Sequence, residues 1–225
     1  MEDVTIVVAT HGDRQWQRLA EERALPSARA QGRPTLAVHG GPGTTLAQAR
    51  NRALDDVSTP WVIHLDADDE LAPGYVAAML AADGDIRAPA VSWVPDGAGS
   101  RLPAEGTVPA VPQVPGHEVL HPQCHGGCLA AGGNWIVVGA MVRTAAVRRV
   151  GKWRELPLYE DYDLWLRLTA AGAQVGVVPD AVYRAHVRPG SRNRSHSPLV
   201  QRLTVREIMR HAGVGPAGGG ARWPA

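Results

Sequence analysis

Strands and helices alternate through about the first eighty residues of this chain, and that alternation limits the architecture more than any other feature. Residues 4–9 (VTIVVA) form an uninterrupted β-branched run, the pattern of a strand buried on both faces. A helix is expected at 16–30, with Pro26 ending it. A second strand is expected at 35–38 (TLAV), followed by the turn HGGPG and a helix at 46–56 with Thr45 as its cap. A third strand (WVIHL) and a helix at 75–82 complete the series. This order builds an α/β fold with a mostly parallel central sheet and helices on both faces, where ligands bind beyond the carboxyl ends of the strands. At one such end stands Asp66-Ala67-Asp68-Asp69.

Between residues 87 and 133 the alternation fails. Prolines at 89, 95, 103, 109, 112, 115 and 122 break any helix, and only 90–94 reads as a strand. The segment is a Pro/Gly-rich insert. Order resumes with an apolar strand at 135–142, a helix at 144–150, a helix at 161–171 closed by Gly172, a strand at 174–178 and a helix at 198–211. One domain over 1–211 is expected, with 212–225 a disordered tail.

Composition removes several classes. Lys+Arg 23 against Asp+Glu 22 gives a net charge of +1, so no global field favours nucleic acid. Lys152 is the only lysine and phenylalanine is absent, a bias that makes any single arginine weak evidence for phosphate recognition. Two cysteines cannot build a disulfide framework. The start MEDVTIVVAT lacks a basic leader region, and no apolar run approaches the ~20 residues of a membrane-spanning helix. A soluble, cytoplasmic protein is expected.

Four constellations could carry chemistry. Three carboxylates at 66, 68 and 69 repel one another unless a cation or donors compensate them, and adjacent hard oxygens suit Mg²⁺ or Mn²⁺. The plain alternative is a solvated acidic turn before the next helix. Glu160-Asp161 opens a helix, where acids complement the macrodipole, and a carboxylate there could also serve as a general base. The stretch YRAHVRPGSRNRSHS sets His186 among Arg184, Arg188, Arg192 and Arg194, either a solvated loop or one that closes over a diphosphate. Finally, His121, Cys124, His125 and Cys128 could hold zinc, although their compressed spacing weighs against it.

Read in order, these segments resemble the GT-A glycosyltransferases of family 2. VTIVVAT resembles that family's first nucleotide-binding strand, LAQARNRALDD its Arg-Asn helix and PWVIHLDADDELAP its DxD segment. GNWIVVGAMVRTAAVRRVGKW, LYEDYDLWLRLTAAGAQVGVVP and YRAHVRPGS are similar to its acceptor-side strand, its Glu-Asp helix and its closing loop. The resemblance implies a metal-dependent, inverting transfer of a sugar from a nucleoside-diphosphate sugar to an acceptor hydroxyl. It assigns Asp68 as a metal ligand, Asp66 to metal, ribose or diphosphate, and His186 to the metal shell. Asp161 becomes the base and Glu160 its helper, while Thr10, His11, Arg50 and Asn51 line the nucleotide pocket. Arg188 or Arg192 would reach the diphosphate, and the insert at 87–133 would lie on the acceptor side. The acceptor itself is a glycan, lipid or protein that the sequence does not name.

One departure stands out. Where the family carries an acidic turn that reads base and ribose, this chain has VHGGPGTT, so UDP is only a default donor. Two other readings follow: a degenerate relative that binds a glycan or partner without catalysis, and a sugar-nucleotide nucleotidyltransferase. The second expects a Gly-rich loop with Lys after the first strand, and THGDRQW has one Gly and no Lys.

Overall fold

The computed structural model describes residues 3–98, 100, 102, 105–108, 129, 133–189 and 196–213. His121, Cys124, His125, Cys128, Arg192, Arg194, most of the insert and the tail from 214 onward lie outside the described residues.

All seven residues of β1 (Val4–Thr10) are buried, so this strand needs neighbours on every side. It runs parallel to both β2 (Thr35–His39) and β3 (Trp61–Leu65). The connection to β2 is a helix in three parts: α1 (Arg14–Leu19), a π-helical turn (Ala20–Ala24) and α2 (Leu25–Arg29). Pro26 therefore does not end the helix as its sequence suggests. It sits in the first turn of α2. A proline withholds one amide from the turn before it, and the widened π turn at that point accommodates the loss. The connection to β3 is α3 (Leu46–Asp55), whose start is a capping box. Thr45 Oγ1 accepts from the Gln48 amide at 3.2 Å, and Gln48 Oε1 accepts from the Thr45 amide at 3.1 Å.

After β3 the chain forms β4 (Glu70–Leu71), α4 (Tyr75–Ala81), β5 (Ile86–Pro95) and β6 (Thr107–Val108). β7 (Met141–Arg143), α5 (Thr144–Arg149), α6 (Glu160–Ala170), β8 (Val175–Val187) and α7 (Pro198–His211) follow. The sheet runs β2-β1-β3-β7-β5-β8-β4, with β6 pairing β5. It is a mixed sheet whose long pairings (β1 with β2, β1 with β3, β5 with β8) are parallel.

Three strands differ from the sequence expectation. β5 extends well beyond 90–94 in spite of Pro89, because β7 pairs only Ile86 and Arg87 and the β8 ladder shifts register between Pro89 and Ala90. The apolar run 135–142 is buried but mostly irregular: only its end belongs to β7. Its own backbone meets one carbonyl, the Ala140 amide donating to Val137 at 3.1 Å, and side chains meet two others. Trp165 Nε1 donates to the Ile136 carbonyl at 3.0 Å, and the Tyr75 hydroxyl to the Gly139 carbonyl at 2.7 Å. Gly139 is required by close approach, since a Cβ there would lie 2.2 Å from the Tyr183 ring. β8, read in the sequence as a short strand and then a loop, is a single strand of 13 residues with a register shift opposite Pro89. Its extra length carries Tyr183 to Val187 alongside the residues that follow β3.

Candidate active site

β3 stops at Leu65 and the acidic turn begins at once, with the Asp69 amide donating to the Asp66 carbonyl at 3.2 Å. Each carboxylate has its own partner. Asp66 Oδ1 accepts from Arg50 at 2.6 Å, and Asp68 Oδ2 accepts from Arg188 at 2.5 Å. Asp69 is buried, and accepts from the Tyr183 hydroxyl at 2.7 Å and the His186 amide at 2.8 Å. Burial, and then the neighbouring Asp66, push Asp68 above the usual carboxylate range; burial and both neighbours push Asp69 well above it.

β4 pairs antiparallel with β8, Glu70 opposite Arg184 and Leu71 opposite Tyr183, which fixes the end of β8 against this turn. His186 presents Nε2 to Glu70 Oε2 at 2.8 Å. Arg188 stands 4.9 Å from the Trp16 ring and 3.9 Å from Asp96. Arg23, on the π turn, donates to the Asp68 carbonyl at 2.9 Å and to Asp96 at 3.0 Å. His186 is therefore beside the acidic turn but directed at Glu70. Among the described residues no three metal-ligating side chains converge as a ready cation site. Asp66 and Asp68 do offer hard oxygens at a strand end, which fits a divalent ion completed by phosphate and water.

The second acidic pair lies on the first turn of α6, which is entered through Tyr159 at φ 60°, an uncommon conformation for a residue with a Cβ. Asp161 accepts from Asn134 Nδ2 at 3.1 Å on both oxygens and from the Tyr162 amide at 2.8 Å. Asp161 is half-buried, and desolvation raises its carboxyl to about 6. Asn134 and Arg50 oppose the rise and Glu160 assists it. Glu160 is buried. Asp163, which sequence reasoning passed over, is buried with Arg154 at 2.8 Å and Arg167 at 2.7 Å. It anchors the helix rather than facing the cleft, and its Asp-x-x-x-Arg spacing was the available signal.

Arg50 joins the two acidic regions. Burial works against its charge, but Asp66, Glu160 and Asp161 outweigh that penalty and raise its pKa. Its guanidinium also lies 4.3 Å over the Trp153 ring. Asn51, expected in the nucleotide pocket, spends its amide on Trp153: Nδ2 donates to the Trp153 carbonyl at 2.8 Å and Oδ1 accepts from its amide at 2.9 Å. It positions the tryptophan under Arg50. His64, absent from the sequence reading, accepts from Trp153 Nε1 at 3.2 Å, and burial followed by Arg50 holds its pKa well below the ordinary value.

Thr10 ends β1 with its hydroxyl 2.9 Å from His39 Nδ1, and His11 Nδ1 is 3.1 Å from the Thr44 carbonyl. His11 lines a cleft of about 530 Å³ with Thr44, Thr45, Glu155, Pro157 and Glu160. The start of α3 and the start of α6 therefore border one depression.

A family profile described as "Glycosyl transferase family 2" matches residues 24–104, and a second, "Glycosyl transferase family group 2", matches residues 123–202. The chain belongs to glycosyltransferase family 2. Among curated proteins, this family 2 chain is 31% identical over 159 residues to the succinoglycan biosynthesis protein ExoU of Rhizobium meliloti (strain 1021). That match covers 68% of the chain and 46% of ExoU, so the chain spans about half the length of that relative. Among solved structures, TarS 1–349 of S. aureus in complex with UDP-GlcNAc superposes with a TM-score of 0.60 at 16% identity, covering 96% of this chain and 69% of that one. The mannosyltransferase PcManGT of Pyrobaculum calidifontis, in complex with GDP-Man and Mn²⁺, gives 0.57 at 15%, covering 97% and 65%. The family 2 domain has the GT-A fold.

Proposed function

We propose that this domain transfers a sugar from a nucleoside-diphosphate sugar to an acceptor hydroxyl with inversion at the anomeric carbon. One observation supports the reading: Arg50 bonds Asp66 of the acidic turn at 2.6 Å, and Glu160 and Asp161 of the first turn of α6 also raise its pKa, which sets both acidic regions about one guanidinium. The complexes of TarS with UDP-GlcNAc and of PcManGT with GDP-Man and Mn²⁺ support a donor of this class. They also leave the base open between uracil and guanine, in keeping with the replacement of the acidic turn by HGGPG, which begins at His39.

In this reading Asp66 and Asp68 hold Mn²⁺ or Mg²⁺, which when bound supplies positive charge to the diphosphate. Arg188, now on Asp68, transfers its hydrogen bonds to the diphosphate, and Arg50 orients Asp66 through its bond at 2.6 Å. Asp161 takes the proton of the acceptor hydroxyl, with Asn134 fixing both of its oxygens. Glu160 lies beside it and shapes the acceptor side of the cleft. Nucleotide-sugar supply places this chemistry in the cytoplasm.

Calorimetry with UDP- and GDP-sugars, with and without Mn²⁺, tests the reading. Metal-dependent donor binding by the wild type, weakened in Asp68→Ala, is expected. Donor binding without any transfer to a panel of sugar, lipid and peptide acceptors would point instead to a binding module, and absence of donor binding would overturn the assignment.

A further inference from the structure

We propose that α7 docks the domain on an anionic bilayer surface through its outer face. Leu199 and Leu203 are 57% and 54% exposed, the large apolar side chains left open to solvent among the described residues. They are one helical turn apart. Arg202, Arg206 and Arg210 are exposed on the same helix. At 3.6 residues per turn, all five side chains fall within an arc of about 100°. Arg202 and Arg206 make no ion pair among the described residues, while Arg210 meets Glu207 at 2.9 Å.

The opposite face is already committed to the domain. Thr204 and Ile208 are buried. Gln201 Oε1 meets the Tyr159 hydroxyl at 3.5 Å, Glu207 meets Arg154 at 3.3 Å, and the Met209 sulfur lies 3.9 Å from the Tyr162 hydroxyl. The outer stripe therefore comes from a helix held in place, not from a loose segment. A stripe of two leucines flanked by three arginines matches an interface where acyl chains accept the leucines and phosphates the guanidinium groups. A second copy meeting the stripe symmetrically would set arginines against arginines. No helix among the described residues is long and apolar enough to cross a bilayer, so the contact is peripheral.

Docking stands apart from the transfer reading. If both hold, α7 brings the bilayer beside the first turn of α6, and the acceptor is one presented at a lipid surface.

Vesicle flotation tests the proposal with the whole chain, using phosphatidylcholine vesicles with and without phosphatidylglycerol. The wild type is expected to float with the phosphatidylglycerol vesicles at low salt and to be released at high salt. Arg202→Gln/Arg206→Gln is expected to lose about 30-fold in partitioning, whereas Arg202→Lys/Arg206→Lys keeps it. Leu199→Ser/Leu203→Ser is also expected to lose partitioning. Failure of the wild type to float, or equal flotation of the Gln variant, overturns the proposal. So does sedimentation showing that Leu199→Ser/Leu203→Ser splits a dimer while vesicles remain unbound. Donor calorimetry on the same variants is expected to be unchanged, which separates failure of docking from failure of the transferase reading.

Discussion

A base that works near neutrality needs a pKa near neutrality, and for Asp161 that comes from desolvation, which raises its carboxyl from 3.8 to about 6. The consequence for rate is direct: transfer is expected to rise with pH through about 6 and level off above it, as the carboxylate becomes available. A rate independent of pH between 5 and 7 would remove Asp161 from the role. The consequence for stability has the opposite sign. The folded state holds the proton more tightly than the unfolded chain, so Asp161 lowers stability as pH rises between 3.8 and about 6. Asp161→Asn is therefore expected to abolish transfer, leave donor affinity nearly unchanged, and raise stability at pH 7 by about 1–2 kcal/mol, allowing for remaining solvent contact. Calorimetric melting and single-turnover assays on one preparation check both. Asp66, Asp68, Asp161 and Arg50 were singled out in the sequence only through the order of segments resembling a family, because acids at a strand end or a helix start also have ordinary structural roles. His64 was not, because a buried histidine is recognised only by its partners across the fold, and Asp163 was passed over although its pairing with Arg167 is local.

At the scale of elements, the joint between the acidic turn and β8 decides where Arg188 and His186 can reach. Tyr183 contributes twice: its hydroxyl satisfies Asp69, and its ring leaves no room for a Cβ on residue 139. Tyr183→Phe removes one of the two donors to a buried carboxylate, and a loss of about 1–3 kcal/mol in stability is expected, measured by denaturant titration. Donor affinity should fall with it, since Arg188 is positioned by the same strand; unchanged donor binding would show that β8 holds its place without this bond. Helices and parallel strands were readable because apolar periodicity and capping are local, as with the Thr45–Gln48 box. The irregular course of 135–140 was not, because an apolar run looks the same in a loop whose carbonyls are met by Trp165 and Tyr75. The length of β8 escaped notice for a related reason, since its partner β5 carries the very prolines that argued against strand.

Across the whole molecule, the two family profiles divide the chain near the insert, and Arg50 is one of the residues through which the halves act on each other, beside the bonds of Asn51 to Trp153 and of Arg188 to Asp68. Arg50 lies on α3 in the first half, yet its charge lowers the pKa of Asp161 in the second. Removing that charge while keeping much of the side-chain volume, as in Arg50→Gln, leaves Asp66, Glu160 and Asp161 without their shared counter-charge. The midpoint of the pH–rate profile is then expected to move upward from about 6, because the base holds its proton more tightly. Donor binding should weaken in the same variant, since Asp66 loses its partner at 2.6 Å. The two effects separate experimentally: the pH midpoint is read from kcat at saturating donor, where weaker binding no longer contributes. An unmoved midpoint with weakened binding would confine Arg50 to the donor side, and the two acidic regions would then have to be coupled by the substrate alone.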